Sequence, residues 1–299
     1  MKLVKPVAFQ ESQLISTTAT NADANWSSAT TYSLGQKVSY SGKTWESLQA
    51  SNLNKTPTTE PTWWLDLGAD NKHAMFDQII GTSTAATTSM TVVVKPGVGI
   101  DSIALINMEA ATAKITCRNG LAGDIVYEQT AGLSGSTVQD WYQYFFFDPL
   151  LKRTQFIFYN IPQYLDLHIT LELTNSSGSA VSIAQMIYGT MYEIGLSQYG
   201  ATAGIVDYSV KETDDFGNTS FVKRAYSKRL SAEVYVKNTD LNRVQRTLYD
   251  VRATPSVWIA TDDPLFEEAL IVYGWYRDFT TNISYPKHSI VSIELESLT

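Results

Sequence analysis

The chain has 299 residues, of which 44% are hydrophobic, 12% aromatic and 17% charged, and its 22 basic and 30 acidic side chains give a net charge of −8. An acidic chain without basic clusters gains nothing from counterion release, which excludes nucleic acid and anionic membranes as partners. The single cysteine, Cys117, excludes an intrachain disulfide and a cysteine-based metal site. No stretch approaches the ~20 apolar residues of a membrane span.

The low charge and the many Thr, Ser, Asn and Gly residues are typical of β-sheets whose exposed faces carry hydroxyl groups. We predict a mainly β fold, with a small three-stranded aromatic module, an antiparallel β-sandwich or jelly roll, and a C-terminal β-sheet domain with one helix. The predicted domains, in chain order, are an extended N-terminal arm, the aromatic module, the sandwich and the β-plus-one-helix domain, at residues 1–22, 23–68, 69–190 and 191–299.

The first 22 residues have little periodicity, although residues 4–9 can pair locally. They contain no apolar segment of the kind found in signal peptides, so we expect synthesis and folding in a reducing cytoplasm. Terminal arms of this kind either fray or dock on a neighbouring subunit.

The aromatic module contains four of the seven tryptophans, at positions 26, 45, 63 and 64. A unit this small has no disulfide or metal to stabilise it and offers more aromatic surface than it can easily bury. Some of its rings are therefore candidates for a flat outward surface that stacks on sugar rings. Gly35 and Gly42 stand where hairpin turns are needed, and residues 38–40 and 43–48 alternate as half-buried strands do.

The spacing of its aromatic, glycine and proline residues resembles the small chitin- and cellulose-binding modules appended to bacterial chitinases. The matching positions are Trp26, Tyr32, Gly35, Val38, Tyr40, Gly42, Trp45, Pro57, Pro61, Trp63 and Trp64. The resemblance implies a compact three-stranded unit in which Trp64, helped by Trp63, Trp45 or Tyr32, binds carbohydrate. The alternative is that Trp26, Tyr32, Trp45 and Trp64 form the small core of the module.

Short strands bounded by Gly, Pro, Asn or Ser continue from residue 74, as in an antiparallel sandwich. We predict a hairpin tip at residues 176–178 and a buried, unreactive Cys117. The aromatic run W-Y-Q-Y-F-F-F fits either the sandwich core or an intersubunit contact. The predicted strands cover residues 89–94, 100–108, 113–117, 124–129, 141–147, 154–159, 167–173 and 181–191.

In the last third of the chain, the spacing of apolar residues changes from that of a strand, predicted at residues 231–236, to that of a helix. Thr239 and Asp240 cap a segment in which every third or fourth residue is apolar, so we predict a helix with one buried stripe. That stripe consists of Leu241, Val244, Leu248 and Val251. Further strands are predicted at residues 257–260, 270–276, 279–285 and 289–295.

This C-terminal region resembles the β-plus-one-helix domains of tailed-bacteriophage tail, baseplate and neck proteins. The resemblance lies in the helix pattern D-x-x-x-V-x-x-x-L, the following P-S-V-W-I, L-I-V-Y-G-W-Y-R-D-F and S-I-V-S-I-E-L-E-S-L, and the run over residues 189–224. It implies a virion part, assembled in the host cytoplasm with copies of itself and with other virion proteins. The aromatic module would then be displayed on the particle.

Two groups of carboxylates were considered as catalytic pairs for glycoside hydrolysis or as calcium ligands. They consist of Asp207, Glu212, Asp214 and Asp215, and of Asp262, Asp263, Glu267 and Glu268. Both groups also fit tight turns in which Asp and Asn bond their own backbone. The three histidines, His73, His168 and His288, lie in unrelated contexts. We therefore predict no catalytic residue, no metal site and no cofactor, and thus no enzyme.

The sequence favours a structural component of a tailed-phage virion at the neck, tail or baseplate. Its predicted partners are other virion proteins, copies of itself and, through the module, cell-surface polysaccharide. The alternatives are a soluble lectin or non-catalytic carbohydrate-binding subunit and, third, a glycoside hydrolase.

Overall fold

The computed structural model describes residues 1–136, 141–146, 150–175, 179–213, 216–261, 263, 266–283 and 285–298. Antiparallel β-sheet dominates this part of the chain, and the predicted mainly β fold is confirmed. The predicted hairpin tip at residues 176–178 lies outside the described residues.

Nine strands and a turn of 3₁₀ helix at Glu11–Gln13 lie in the first hundred residues, with a second such turn at Ala74–Phe76. The strands are β1 (Lys2–Pro6), β2 (Leu14–Thr17), β3 (Thr31–Tyr32), β4 (Lys37–Tyr40), β5 (Lys43–Ser47), β6 (Asn52–Leu53), β7 (Trp64–Ala69), β8 (Thr84–Ala86) and β9 (Ser89–Val94).

The middle of the chain contributes eight more strands and one short helix. These elements are β10 (Ser102–Glu109), β11 (Thr112–Asn119), β12 (Ile125–Gly132), β13 (Ser134–Ser136), α1 (Trp141–Phe146), β14 (Leu150–Lys152), β15 (Phe156–Phe158), β16 (Leu167–Thr174) and β17 (Val181–Glu193).

The last third contains eight strands and two helices. They are β18 (Leu196–Ser197), β19 (Thr202–Asp207), β20 (Val210–Thr213), β21 (Thr219–Val222), β22 (Tyr226–Lys237), α2 (Leu241–Asp250), β23 (Ser256–Ile259), α3 (Glu267–Leu270), β24 (Ile271–Asn282) and β25 (His288–Ser297).

Most of the strands belong to two sheets, of eleven and five strands, and the others form one three-stranded sheet and three two-stranded pairs. The large sheet has eleven strands in the order β15-β10-β17-β1-β23-β24-β25-β22-β18, with β19 beside β22 and β8 beside β17. The five-stranded sheet has the order β12-β11-β16-β9-β2. The large sheet combines strands from both sides of residue 190, and its strand β17 crosses the domain boundary predicted there.

The predicted sandwich forms between the five-stranded sheet and the β10–β17 end of the large sheet. Its core is filled by alternating apolar side chains of both sheets, as two packed antiparallel sheets require. The thiol of Cys117 is buried there, as predicted, and burial raises its pKa to about 12, so the thiolate is not available at neutral pH.

Helix α2 covers one face of the C-terminal half of the large sheet. The predicted stripe is confirmed, because Leu241, Val244, Leu248 and Val251 are all buried against strands of that sheet. Two predicted strands, at residues 270–276 and 279–285, are instead one strand, β24, with an irregularity between Tyr276 and Asp278 where the register shifts.

The N-terminal arm is a strand inside the sheet of its own chain. Strand β1 pairs with β17 on one side and with β23 on the other. Leu3 and Val4 are fully buried on its opposite faces. Gly189 makes this pairing possible, since a Cβ at that position would lie 2.0 Å from the carbonyl oxygen of Lys5. This corrects the expectation of an arm that frays or docks on a neighbour.

The strand predicted at residues 141–147 is wrong, because residues 141–146 form helix α1. Trp141 and Phe145 lie one helical turn apart and stack with ring centroids 6.2 Å apart. Both side chains are exposed, together with Tyr142, and do not belong to the sandwich core. Alternation of apolar residues in this run is too weak to distinguish a strand from a short helix.

We expect Leu3→Ala to lower the free energy of unfolding by about 2–5 kcal/mol, because the truncation leaves a cavity in a buried central strand. Urea denaturation at several protein concentrations measures this loss. Lys5→Ala, on the same strand but only partly buried, is the matched control and should change stability by less than about 1 kcal/mol. Unchanged stability of Leu3→Ala, or a loss that depends on protein concentration, would support docking on a neighbouring subunit.

Candidate functional site

The aromatic module folds as a three-stranded sheet, β4-β5-β7, beside the short pair β3-β6. A two-residue turn joins β4 to β5, with Ser41 and Gly42 at φ values of 52° and 72°. Two left-handed residues in succession match the twist of a hairpin, which explains the position of Gly42. The two predicted strands and the predicted hairpin turn are confirmed.

Four side chains form the core of the module: Tyr32, Val38, Trp45 and Trp64. Tyr32 and Trp64 meet edge to face, with ring centroids 5.3 Å apart. Both indole N–H groups of this core have an acceptor, since Trp45 Nε1 donates to the Tyr40 carbonyl at 3.1 Å and Trp64 Nε1 to the Lys55 carbonyl at 2.8 Å. The small core therefore uses rings as filling and satisfies their polar atoms.

This arrangement corrects the outward placement expected for three of the four predicted sugar-binding rings. Trp64 is 2% exposed, Tyr32 4% and Trp45 8%. A ring buried to this degree offers no face on which a sugar can stack. The structure agrees with the alternative in which these rings form the core, whereas binding of carbohydrate by the module stays a prediction.

Trp63 is the predicted ring that keeps part of its surface in solvent. Lys55 Nζ lies 5.4 Å from its ring centroid, in a cation–π contact, and also 3.7 Å from Glu60 Oε1. Next to the ring, the Leu48 amide donates to the Trp63 carbonyl at 2.9 Å. One partly exposed indole beside a cation and a carboxylate can stack on a sugar ring and bind its hydroxyl groups.

A second aromatic pair lies at the edge of the module. Trp26 and Tyr40 are partly buried and meet edge to face at 5.2 Å. The Nε1 of Trp26 is buried and has no acceptor in the part of the chain that the structure describes. The pattern of aromatic residues predicted this cluster, but gave no sign of Lys55 as the neighbour of Trp63.

Hydrogen bonds from polar side chains connect the segment that precedes the aromatic module with the segment that follows it. Asn21 Nδ2 donates to Asp70 Oδ2 at 2.7 Å, and the Lys72 amide donates to Asn21 Oδ1 at 3.1 Å. His73 Nδ1 lies 2.6 Å from Asp70 Oδ1, and its ring lies against Gly42, where a Cβ would come within 3.3 Å. The hairpin turn of the module therefore packs directly against this hydrogen-bonded connection of Asn21 with residues 70–73, hereafter the joint.

The carboxyl group of Asp70 is the charged centre of the joint. Burial raises its pKa, but hydrogen bonds from His73 and Asn21 and the charge of His73 act more strongly together, so that the pKa falls below its ordinary 3.8. The carboxylate therefore stabilises the joint at neutral pH.

Of the described acidic residues considered for catalysis, Asp207 and Glu212 lie in strands β19 and β20, and Glu267 and Glu268 lie in helix α3. Asp207 Oδ1 accepts a hydrogen bond from the Ser209 amide at 2.8 Å, which is the turn geometry expected from its sequence. Glu268 accepts from Thr154 Oγ1 at 2.9 Å. Asp214, Asp215 and Asp262 lie outside the described residues, within which no three His, Cys, Asp or Glu side chains form a group able to hold a metal ion.

A second surface, which the sequence did not predict, lies in residues 195–226, hereafter the projecting segment. It contains β18, β19 and the hairpin β20–β21, and no described side chain in it is buried. Its exposed large hydrophobic side chains are Leu196, Tyr199, Ile205, Tyr208, Phe216, Phe221, Val222 and Tyr226. A concentration of apolar surface in one segment is typical of a contact with another protein.

Comparison with known proteins gives no family. No family model matches the chain, and no curated protein matches it. A variant of chitosan-binding module 1 from a chitosanase/glucanase of Paenibacillus sp. IK-5 is 14% identical, covering 41% of this chain and 86% of the module, with a TM-score of 0.26. The C-terminal domain of a chitobiase from Bacteroides fragilis is 11% identical, covering 53% of this chain and all of that domain, with a TM-score of 0.28.

TM-scores this low carry no argument about fold or ligand. Among the described helices, none has the length and apolar character needed to cross a bilayer.

We expect Trp63→Ala to leave the module folded and to lower its retention on insoluble chitin, because only a partly exposed ring is removed. Trp64→Ala should instead destabilise the module by about 3–5 kcal/mol, because it empties the core. Near-ultraviolet circular dichroism and a pull-down distinguish the two effects. Leu67→Ala, an exposed position on β7, is the control and should leave both readouts unchanged. Equal retention of Trp63→Ala and the wild type would contradict a role for this ring.

The lowered pKa of Asp70 sets the sign of a pH dependence. A carboxyl group with a lowered pKa contributes stability above its ordinary value of 3.8, and that contribution is lost as the pH falls through the lower pKa of the folded state. Asp70→Asn should lower the melting temperature at pH 7 and flatten its decline below pH 4. Thermal melts of both proteins from pH 7 to pH 3 measure this, and parallel curves would contradict it.

Proposed function

We propose that the chain is a non-catalytic assembly protein of a tailed-phage virion, at the neck, tail or baseplate. Copies associate with one another and with other virion proteins through the projecting segment. The aromatic module is displayed outward and contacts cell-surface polysaccharide. Its site of action is the assembled particle, after synthesis in the host cytoplasm.

The projecting segment is the observation on which this proposal rests. Among the described strands, β20 and β21 pair only with each other, and an isolated two-stranded hairpin is marginally stable in water. Phe221 is 74% exposed and Tyr199 is fully exposed. Complete burial of either side chain in an interface would stabilise the complex by about 1.5–3 kcal/mol. A partner surface that covers the segment supplies the core that it lacks.

The resemblance of the C-terminal sequence to phage tail, baseplate and neck proteins supports the virion as the setting. The α2-covered sheet agrees with the β-plus-one-helix pattern on which that resemblance rests. In such a particle many copies are held close together. One stacking ring per copy, Trp63, binds weakly by itself, but many copies on one particle bind the same cell surface at high effective concentration.

A soluble carbohydrate-binding subunit is the second candidate, and the environment of Trp63 favours it. The ring lies beside Lys55 and Glu60, which bind hydroxyl groups in the same way whether or not the chain assembles. The two candidates differ in the projecting segment, which has no role in a monomeric lectin.

We expect the wild-type protein to self-associate. Replacing Tyr199 and Phe221 together, as Tyr199→Ser and Phe221→Ser, should raise the dissociation constant of self-association at least tenfold, because two exposed rings are removed from the contact. Size-exclusion chromatography with light scattering measures the mass across a concentration series. Both positions are exposed, so circular dichroism should remain unchanged. Leu165→Ser, which is 76% exposed outside the segment, is the matched control and should associate as the wild type does.

A wild-type protein that stays monomeric at its highest soluble concentration and binds chitin would favour the lectin. Electron microscopy of the associated protein then tests the virion proposal directly, because a particle component forms closed rings or fibres of defined symmetry.

A further inference from the structure

A cavity of about 220 Å³ lies inside the curl of the large sheet. Ile106 on β10 and Ile271 and Tyr273 on β24 are buried and line it. Strands β10 and β24 are separated by three strands in the sheet order, so the sheet must curl for both to reach the same space. A single buried water needs only about 10–15 Å³, and this cavity has room for a small organic ligand.

Asn107 lines the cavity from strand β10. The ladder with β17 pairs Ile106 with Gln185 and Met108 with Ile183, and it skips Asn107 and the opposite residue, Ala184, without a change of register. The φ of Asn107 is +50°, in the left-handed region that a strand residue rarely adopts. Its side chain is exposed, and its amide has no hydrogen-bond partner among the described residues. Residues whose backbone is held in such a sparsely populated conformation cluster at functional sites.

Gln155 brings a second amide to the same cavity. It is 5% exposed, and its Nε2 donates to the Glu267 carbonyl at 2.7 Å. Its Oε1 accepts no hydrogen bond from any described residue. A buried amide with one committed donor and one open acceptor favours a ligand that donates a hydrogen bond.

The charge of the cavity wall indicates a neutral ligand. Lys228 is the cation of the lining, and its Nζ donates to the Glu268 carbonyl at 3.0 Å and lies 3.7 Å from the carboxylate of the same residue. The cation is thus neutralised within the protein. At the rim, the ring of Tyr226 is 53% exposed and offers a flat apolar face.

We propose that this cavity binds an N-acetylated sugar residue. The acetamido carbonyl accepts a hydrogen bond from Asn107 Nδ2, the acetamido N–H donates to Gln155 Oε1, and the methyl group packs on Ile106 and Ile271. The sugar ring lies against Tyr226, the last residue of the projecting segment, so a partner that covered this residue would exclude the sugar. This site is separate from the aromatic module and does not rest on the proposed assembly function.

Isothermal titration and saturation-transfer NMR with N-acetylglucosamine test the site in the whole chain, with glucose and glucosamine as controls for the acetamido group. Asn107→Gly removes the amide while fitting the positive φ, so we expect at least tenfold weaker binding without a lower melting temperature. Asn160→Gly is the matched control, because Asn160 has a φ of +59° outside the cavity lining, and it should bind as the wild type does.

Three results would overturn the proposal. The first is that N-acetylglucosamine shows no saturable binding, and the second is that all three sugars bind equally. The third is that binding survives Asn107→Gly and is lost with Trp63→Ala, which would place the sugar on the aromatic module. Loss of self-association has no bearing on this site, so the assembly proposal and this one fail separately. Chitin is a polymer of N-acetylglucosamine and could be retained by either sugar site, so the free sugar is the probe for the cavity.

Discussion

The insertion of strand β1 between β17 and β23 holds the large sheet together. Five residues near the N-terminus pair with residues 189–193 on one side and 257–259 on the other. Without them, β17 and β23 have no common neighbour, and the sandwich and the α2-covered sheet become separate units. Because successive side chains of a strand point to opposite faces, Leu3 seals the core beneath α2 while Val4 seals the opposite face. These contacts span the whole sequence, so they form only after distant segments have been brought together.

The same architecture decides how the aromatic module is presented. The aromatic module is inserted between β2 of the five-stranded sheet and β8 of the large sheet. Two chain segments therefore connect the module to the two sheets, instead of one. Those connections are hydrogen-bonded to each other through Asn21 and Asp70, and Asn71 Nδ2 reaches the carbonyls of Thr20 and Ala85, each at 2.9 Å. A single flexible linker would let the module reorient freely. This joint instead gives each copy the same orientation of Trp63, which is what simultaneous binding by many copies requires.

Sequence reasoning succeeded where a periodic pattern is itself the cause of the structure. The stripe of α2 and the alternation in β9 and β16 mark a face that must be buried, and both were predictable. It failed where burial depends on distant partners. Nothing local in the first residues indicates that β1 is central, and Pro6 at its end argues for an edge. Likewise, aromatic content marked the module but could not say that Trp64 turns inward and Trp63 partly outward, since their exposure depends on packing against Tyr32 and Lys55. The left-handed backbone conformation of Asn107 leaves no signal in the sequence.

The two ends of the large sheet differ in a way that links these observations. At one end, β15 has only three residues, and Thr154 and Gln155 just before it contact α3, so that edge is short and covered. At the other end, β19 reads T-A-G-I-V-D, with a single charged residue at its last position and with most of its side chains exposed. Edge strands normally carry lysine, proline or bulges that prevent pairing with another chain. An uncharged edge next to the exposed rings of the projecting segment lacks these protections. In a monomer this edge would be an aggregation hazard. A partner that covers it would form hydrogen bonds with its backbone groups and bury its apolar side chains at the same time.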